Sequence, residues 1–520
     1  MFSLLDALRG AVGEDAVRTD EAALALAASD LYASGARPIA VVRPADSRGV
    51  AAAIEAATRR GCAVLPRGGG LSYTAGYTPP THEAITLDLG GLNRILAIEP
   101  DDLYVTTQAG VTWRQLHEAL RPLDLRLPFF GTFSGAGATV GGGLSHGALF
   151  FGSARYGSAA DNALGLEVAL ADGTLLRSGL AALARPTKPV LRSFGPDLTG
   201  LLTHDGGAFG VKTEATLRLI RAPAHTGYLS FLFTDLPTAA ASLSAIARAD
   251  VAEDIYILDA ASVAAATQVS RAEMARSLRS VLRAARGPWQ AARALASLAR
   301  GGTRPLPDAG WTVHVVAAGR SSRAVADDLA IARRLAATLG GTELAPTVPR
   351  VARADLFANL NGVLDRDGRR WAALNAKVAH SDARAVIEGF DRLVAPQAAA
   401  MARLGVSVTR LCSALGSLAF SFECVFHWSD AWLPLHRAAP DPAWLAGLVE
   451  PPPNPAARAL VAELRASTVA FFRELGAASN QIGRTYPFIE ALQPATATLL
   501  RQLKTQLDPK GLMNPGVLGL

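Results

Sequence analysis

The sequence predicts an α+β fold of at least two domains, with short apolar strands interleaved with alanine-rich helical stretches along 520 residues. Two further observations point the same way. Glycine, 48 residues in all, is concentrated between Gly61 and Gly157. Near Pro223 the texture changes to longer strand candidates separated by long helical ones.

Residues 1–36 read as an N-terminal helical segment. Pro38 to Pro44 reads as a short strand, Arg48 to Gly61 as a helix and Cys62 to Pro66 as a second strand. Further strands are expected at Ala84 to Leu89, Ile95 to Glu99 and Leu103 to Gln108, then a helix from Gly110 to Leu120. Residues 163–170, 174–177 and 209–221 complete this half. In the second half, residues 228–234, 311–317, 374–379 and 418–427 are strand candidates of an antiparallel sheet with helices on it. The divisions expected are 1–36, 37–222, a cap over 223–480, and a C-terminal segment, 481–520.

Half of the residues are hydrophobic and 18% are charged, a composition that excludes a disordered chain. The three cysteines, Cys62, Cys412 and Cys424, have no metal-ligand spacing and no full set of disulfide partners, so no metal is expected. No secretory leader or spanning helix is read in the sequence, so a cytoplasmic protein is expected. The net charge of +6 is uneven: residues 271–304 hold eight arginines against Glu273 alone. With Met274, Leu278, Leu282 and Trp289 in partly helical spacing, this run reads either as a solvated face or as weak peripheral contact with an anionic membrane. Nucleic acid is not expected as a partner, because aromatics are not interleaved with the arginines.

Two glycine tracts carry the ligand argument. Pro66-Arg67-Gly68-Gly69-Gly70-Leu71-Ser72 follows a strand, and backbone amides without Cβ atoms can converge on one anion. A tight turn explains such a run equally well. Ala138-Thr139-Val140-Gly141-Gly142-Gly143-Leu144-Ser145 again sets glycines beside hydroxyls, in a tract too apolar for a mobile surface loop. Neither matches a dinucleotide-fold or P-loop pattern.

In order, these segments resemble the FAD-binding domain of the vanillyl-alcohol oxidase and p-cresol methylhydroxylase family, which includes D-lactate dehydrogenases and glycolate oxidase flavoprotein subunits. The resemblance rests on the two glycine tracts, Ala109-Gly110-Val111, Arg155-Tyr156-Gly157, Gly207 to Thr213, and Leu507 to Gly516. It implies a two-part FAD domain, a cap over the flavin ring and a C-terminal segment folded back onto the FAD domain. It also implies that Pro66, Arg67, Gly68, Gly69, Gly70, Leu71 and Ser72, with Ala138, Thr139, Val140, Gly141, Gly142 and Ser145, bind FAD. Gly210 and Val211 would present backbone to it, and Asn514 would lie near the flavin.

The place of the family's covalent histidine is Leu71, so dissociable FAD and a less oxidising flavin are implied. The stretch matching the hydroxyacid branch's Glu-His-Gly-Ile-Gly is Ser479-Asn480-Gln481-Ile482-Gly483, without Glu or His. The phenol branch's Tyr-Arg-Thr keeps only Arg484 and Thr485, followed by Tyr486. Arg484 and Tyr486 remain catalytic candidates, Arg484 as a clamp for an anion. Glu423 and His427 share one face of a strand by its two-residue period and are candidate base and substrate donor, and His380 is a further candidate. Each has an ordinary structural alternative.

The function implied is hydride transfer from a small alcohol, hydroxy acid or phenol to FAD, with oxygen or an electron acceptor as reoxidant. An alkyl-dihydroxyacetonephosphate synthase-like transferase and a flavin-binding electron-transfer protein are the alternatives, and a homodimer is open.

Overall fold

A computed structural model describes residues 3–185, 187–267, 310–357 and 359–520. The basic run from Arg271 to Arg304 lies outside the described residues.

The first sheet contains β1 (Val17–Arg18), β2 (Ala40–Val42), β3 (Ala63–Arg67) and β4 (Ala84–Asp88), ordered β1-β2-β4-β3. Residues 1–36 are thus not a separate helical arm. Helices Leu4–Val12 and Glu21–Ala27 flank β1, which pairs antiparallel with β2. Helix Ser47–Thr58 starts where the Asp46 carboxylate accepts from the Gly49 amide, and it buries Val50, Ala53, Ile54 and Ala57. The β2 and β3 strands both run parallel to β4.

The second sheet is built from β5 (Ile95–Glu99) and β6 (Tyr104–Gln108), then, past the short β7 (Leu125–Arg126), β8 (Ala163–Ala169), β9 (Leu175–Arg177) and β10 (Val211–Arg218). Its order is β5-β6-β10-β8-β9, and β7 pairs with β11 (Ile220–Arg221). Helix Trp113–Leu120 opens with a capping box, Thr112 and Gln115 each bonding the other's backbone. It begins later than the expected Gly110 because Gly110 and Val111 are tied to Leu92 and Gln108 in a turn.

The cap is one seven-stranded antiparallel sheet of β12 (His225–Phe233), β13 (Asp254–Asp259), β14 (Trp311–Gly319), β15 (Thr342–Leu344), β16 (Arg370–Ala379), β17 (Ser407–Leu415) and β18 (Ala419–Trp428). The order is β15-β12-β14-β13-β17-β18-β16. β18 alternates as its sequence does. Phe420, Phe422, Phe426 and Trp428 are fully buried, with Phe390 and Phe472 of the covering helices packed on the phenylalanines. Ser421, Glu423, Val425 and His427 take the other face. β13, β15 and β17 were not among the expected strands. β17 carries Thr409, Arg410 and Ser413, which blur its apolar period.

The chain's end returns to the start. Val64 donates to Leu512 O and the Asn514 amide to Val64 O, so residues 512–514 line the free edge of β3.

The cap and the N-terminal half are joined through a buried ion cluster. Arg126 meets Glu253, Arg353 meets both Glu253 and Asp254, and the Gly152 amide donates to Asp254. Burial works against the Glu253 charge, but the two guanidiniums overcome it and hold the carboxyl down at about 2. Replacing Arg353 with Met leaves two buried carboxylates short of a cation and should cost about 3 kcal/mol. Arg333→Met, at an exposed pair with Glu343, should cost under ~1 kcal/mol. Denaturant melts of the two variants check the contrast.

Candidate active site

Beyond β3 the loop 68–72 runs against the second glycine tract so closely that side chains do not fit. A Cβ on Gly69 would lie 2.1 Å from Gly137 O, one on Gly68 2.3 Å from Thr139 Oγ1, and one on Gly141 2.7 Å from Ala109 Cβ. The result is a cleft walled by Pro66, Gly68 to Ser72, Ala138, Thr139, Gly141 to Gly143, Ser145, Gly206, Gly207 and Gly210.

The two tracts play different parts. Among the described residues, the amides of Gly69, Gly70 and Leu71 have no protein acceptor, and Gly70 is buried. Buried amides are almost always paired, so this run is arranged for an acceptor that the chain does not supply. The second tract is a helix, Val140–His146, rather than the loop its glycines suggest. Its first amides are already occupied. Val140 donates to Val111 O, Gly141 to Ala109 O, Gly142 to Thr139 Oγ1 and Gly143 to Thr139 O. It supplies a flat wall and a hydroxyl rather than a set of anion donors.

Several expected contacts lie elsewhere. Arg67 turns its guanidinium away from the cleft, onto Leu26 O and the face of Tyr77. Val140 and Val211 are fully buried and do not line the cleft, Val211 being paired with Ala169 in the second sheet. Asn514 is fully buried, donating to Gly76 O and Gly206 O, so it braces the cleft from behind. Sequence reading missed Lys212, His146, Trp113 and Gln481, which all line the cleft. Lys212 is paired with buried Asp205. Burial pushes the His146 ring down to about 4, so it is neutral. Gln481 accepts from Ser72 and donates to the Tyr73 hydroxyl.

A second cavity, of about 220 Å³, adjoins the cleft and shares Leu71, Thr132, Ser134, Ala148 and Gln481 with it. The cap face contributes Trp371, Leu411, Ser413, Ser421 and Glu423, and the FAD half contributes Tyr73, Phe133 and Phe150. Glu423 is the one charged side chain among the described residues lining it, and no described group donates a hydrogen bond to it. Burial raises its carboxyl to about 7 against the opposing pull of Lys377.

The other catalytic candidates are placed outside this cavity. Arg484 donates to Pro515 O, Ala75 O, Thr78 O and Asn514 Oδ1, a clamp between the C-terminal segment and the loop after Ser72. With every donor direction taken by the chain's own oxygens, it has no fork left for a substrate anion. The Tyr486 hydroxyl is bonded to the Asn375 backbone. His427 sits near Asp365 and Thr409, two strand steps from Glu423, and His380 bonds Ser244 on the helical side. The shared face of Glu423 and His427 is present, but the sheet carries His427 past the cavity's edge.

The fold and this cleft define the class. Residues 38–179 match the FAD binding domain, and residues 488–518 the C-terminal domain of the FAD linked oxidases. The chain therefore carries the FAD binding domain and a short C-terminal match to the FAD linked oxidases, and its cofactor is FAD. It is 30% identical to a mitochondrial D-lactate dehydrogenase [cytochrome] of Kluyveromyces lactis over 35% of this chain and 30% of that protein. The chain thus matches under a third of that relative's length. Its fold is that of p-cresol methylhydroxylase, with a TM-score of 0.73 at 18% identity over 99% of this chain and 96% of the other. Alkyldihydroxyacetonephosphate synthase shares it at TM-score 0.68 and 14% identity, over 98% and 84%.

The cleft fits FAD: unpaired amides suit its anionic pyrophosphate, and the glycine walls admit backbone contact along its length. None of the described residues is long and apolar enough in a helix to cross a membrane.

Gly69→Ala should therefore remove FAD binding, since its Cβ meets a backbone carbonyl that cannot swing aside. Gly10→Ala, with open space around the new Cβ, should bind FAD normally. Absorbance of purified protein near the flavin band, with and without added FAD, reads both.

Proposed function

We propose that the chain oxidises an uncharged organic alcohol or phenol, with Glu423 accepting the hydroxyl proton. The observation that carries the reading is Glu423 itself, an unpartnered carboxyl in an apolar, aromatic cavity that adjoins the FAD cleft. FAD, when bound, supplies the hydride acceptor. Oxygen or a separate electron acceptor then takes the electrons.

Trp371, Tyr73, Phe133 and Phe150 offer ring surfaces to an apolar substrate and exclude water around the carboxyl. No Arg, Lys or His among the described residues lines the cavity, which disfavours a hydroxy-acid carboxylate and likewise the phosphate of a transferase substrate. Asn480, in the place of the hydroxyacid branch's histidine, is no base, and Glu423 takes over that task. Dissociable FAD is supported by Leu71, which offers no nucleophile at the place of the family's covalent histidine, and by the three cysteines, buried outside the cleft, leaving His146 as the imidazole on its wall. Acid precipitation should release all the flavin into the supernatant.

A carboxyl acts as a base only when ionised. With its pKa raised to about 7, anaerobic flavin bleaching should accelerate as pH rises through about 7. Glu423→Gln should slow bleaching by an aromatic alcohol roughly 10²–10⁴-fold while leaving FAD content unchanged. Equal bleaching rates in the two proteins would remove Glu423 from the chemistry. Weak membrane contact through residues 271–304 belongs to the same reading, and co-sedimentation with anionic liposomes that vanishes at high salt is the expected result. A homodimer would show in the sedimentation mass.

A further inference from the structure

We propose that Lys377 carries the proton from Glu423, in the inner cavity, to water in a separate outer cleft. The inference rests on the reading of Glu423 as the base. Lys377 is a positioning residue: it acts through Glu423 and does not line the inner cavity.

The register brings the two together. In the β16–β18 pair, Asn375 faces Glu423 and Lys377 faces Ser421. Lys377 and Glu423 are therefore diagonal neighbours on one face, a separation of roughly 7–8 Å between backbones that long side chains bridge. They border different spaces. Lys377 lines an outer cleft of about 660 Å³ between the cap and the FAD half. Asn480 and Leu149 line both spaces and form the wall between them. Trp371, Leu411 and Tyr73 line the inner cavity around the base, and Lys377 stands on the far side of that wall, in the outer cleft.

The ammonium is held by amide oxygens alone. Lys377 Nζ donates 2.7 Å to Asn375 Oδ1 and also to Asn480 Oδ1, with no carboxylate within ion-pair distance. Neutral acceptors orient the group without trapping its proton. Burial lowers Lys377 to about 7, opposed by the Glu423 charge, so the donor and acceptor are nearly matched. The other titratable groups nearby do not break the match. Tyr73 faces Glu423 across the cavity, Cys412 and Cys424 lie on the opposite face of the sheet, and all three are pushed up by burial and stay neutral. On the outer side stand His204, lowered by burial, with Asp161 and Asp382, which favour a cation in the cleft.

The protons balance. The substrate hydroxyl proton passes to the Glu423 carboxylate. Lys377 releases one proton to water in the cleft and becomes a neutral amine. The Glu423 proton then moves to that amine across one bridging water, since the two side chains are not in direct contact, and this restores carboxylate and ammonium. One proton enters from the substrate and one leaves to solvent.

The test is read on the carboxyl of the FAD-loaded protein, without substrate. In infrared difference spectra at mildly acidic pH, the band that Glu423→Gln removes reports the protonated acid, and its shift in D₂O reports exchange with solvent. We expect Lys377→Met to raise the band's titration midpoint by about one pH unit, through loss of the neighbouring cation. Lys377→Arg keeps a charge that cannot be given up, so the midpoint should not rise. Both variants should slow exchange roughly tenfold or more. A purely structural lysine would be rescued by Arg in every readout. Exchange as fast in Lys377→Arg as in the unaltered protein overturns the relay, as does the lack of any carboxylic band removed by Glu423→Gln. Failure of the base reading shows elsewhere, in bleaching rates that Glu423→Gln leaves unchanged.

Discussion

The contact of two bare backbones, Gly68–Gly69 against Gly137–Thr139, is the constraint on which the site depends. A Cβ at Gly69 would meet a carbonyl at 2.1 Å, so the strand β3 and the helix Val140–His146 come together only through glycine. That closeness leaves the Gly69, Gly70 and Leu71 amides out of any ladder, with Gly70 buried. Unpaired buried amides cost roughly 1–3 kcal/mol each, a cost that an anionic group in the cleft removes.

The cap depends on a second arrangement of desolvated groups. Arg126, Arg353, Glu253 and Asp254 compensate one another and lock the cap to the FAD half. Glu423 and Lys377 are only half-buried and stay beyond ion-pair distance, and their charges are only partly compensated. The first set gives rigidity, and the second leaves protons mobile near neutral pH. Compensated charges hold structure, and undercompensated ones are available for chemistry.

How far this was legible follows from the range of each interaction. The glycine tracts and the two-residue period of Phe420 to Trp428 are local, so the cleft and the cavity-facing position of Glu423 could be read from the residues. Lys377 could not, because its meaning comes from the register that sets it diagonal to Glu423 across a long connection. Arg484 looked like an anion clamp since its partners are main-chain carbonyls of residues about 30 and about 400 positions away, which no side-chain pattern announces. The second glycine tract misled in another way. Glycine marks close approach without telling whether amides are free, and here Val111 O, Ala109 O and Thr139 had already taken them.

On the proposed reading, the position of Lys377 also explains how Glu423 would act as a base. An ammonium lining the inner cavity would pair with the carboxylate directly, lower its pKa and offer a binding point to anionic substrates. The Asn375 and Asn480 oxygens hold it instead at the wall of the outer cleft. From there it moderates the burial penalty on Glu423 without cancelling it. The inner cavity keeps one charge and its apolar walls, a combination that suits the proposed substrate, able to give up a proton but carrying no charge of its own.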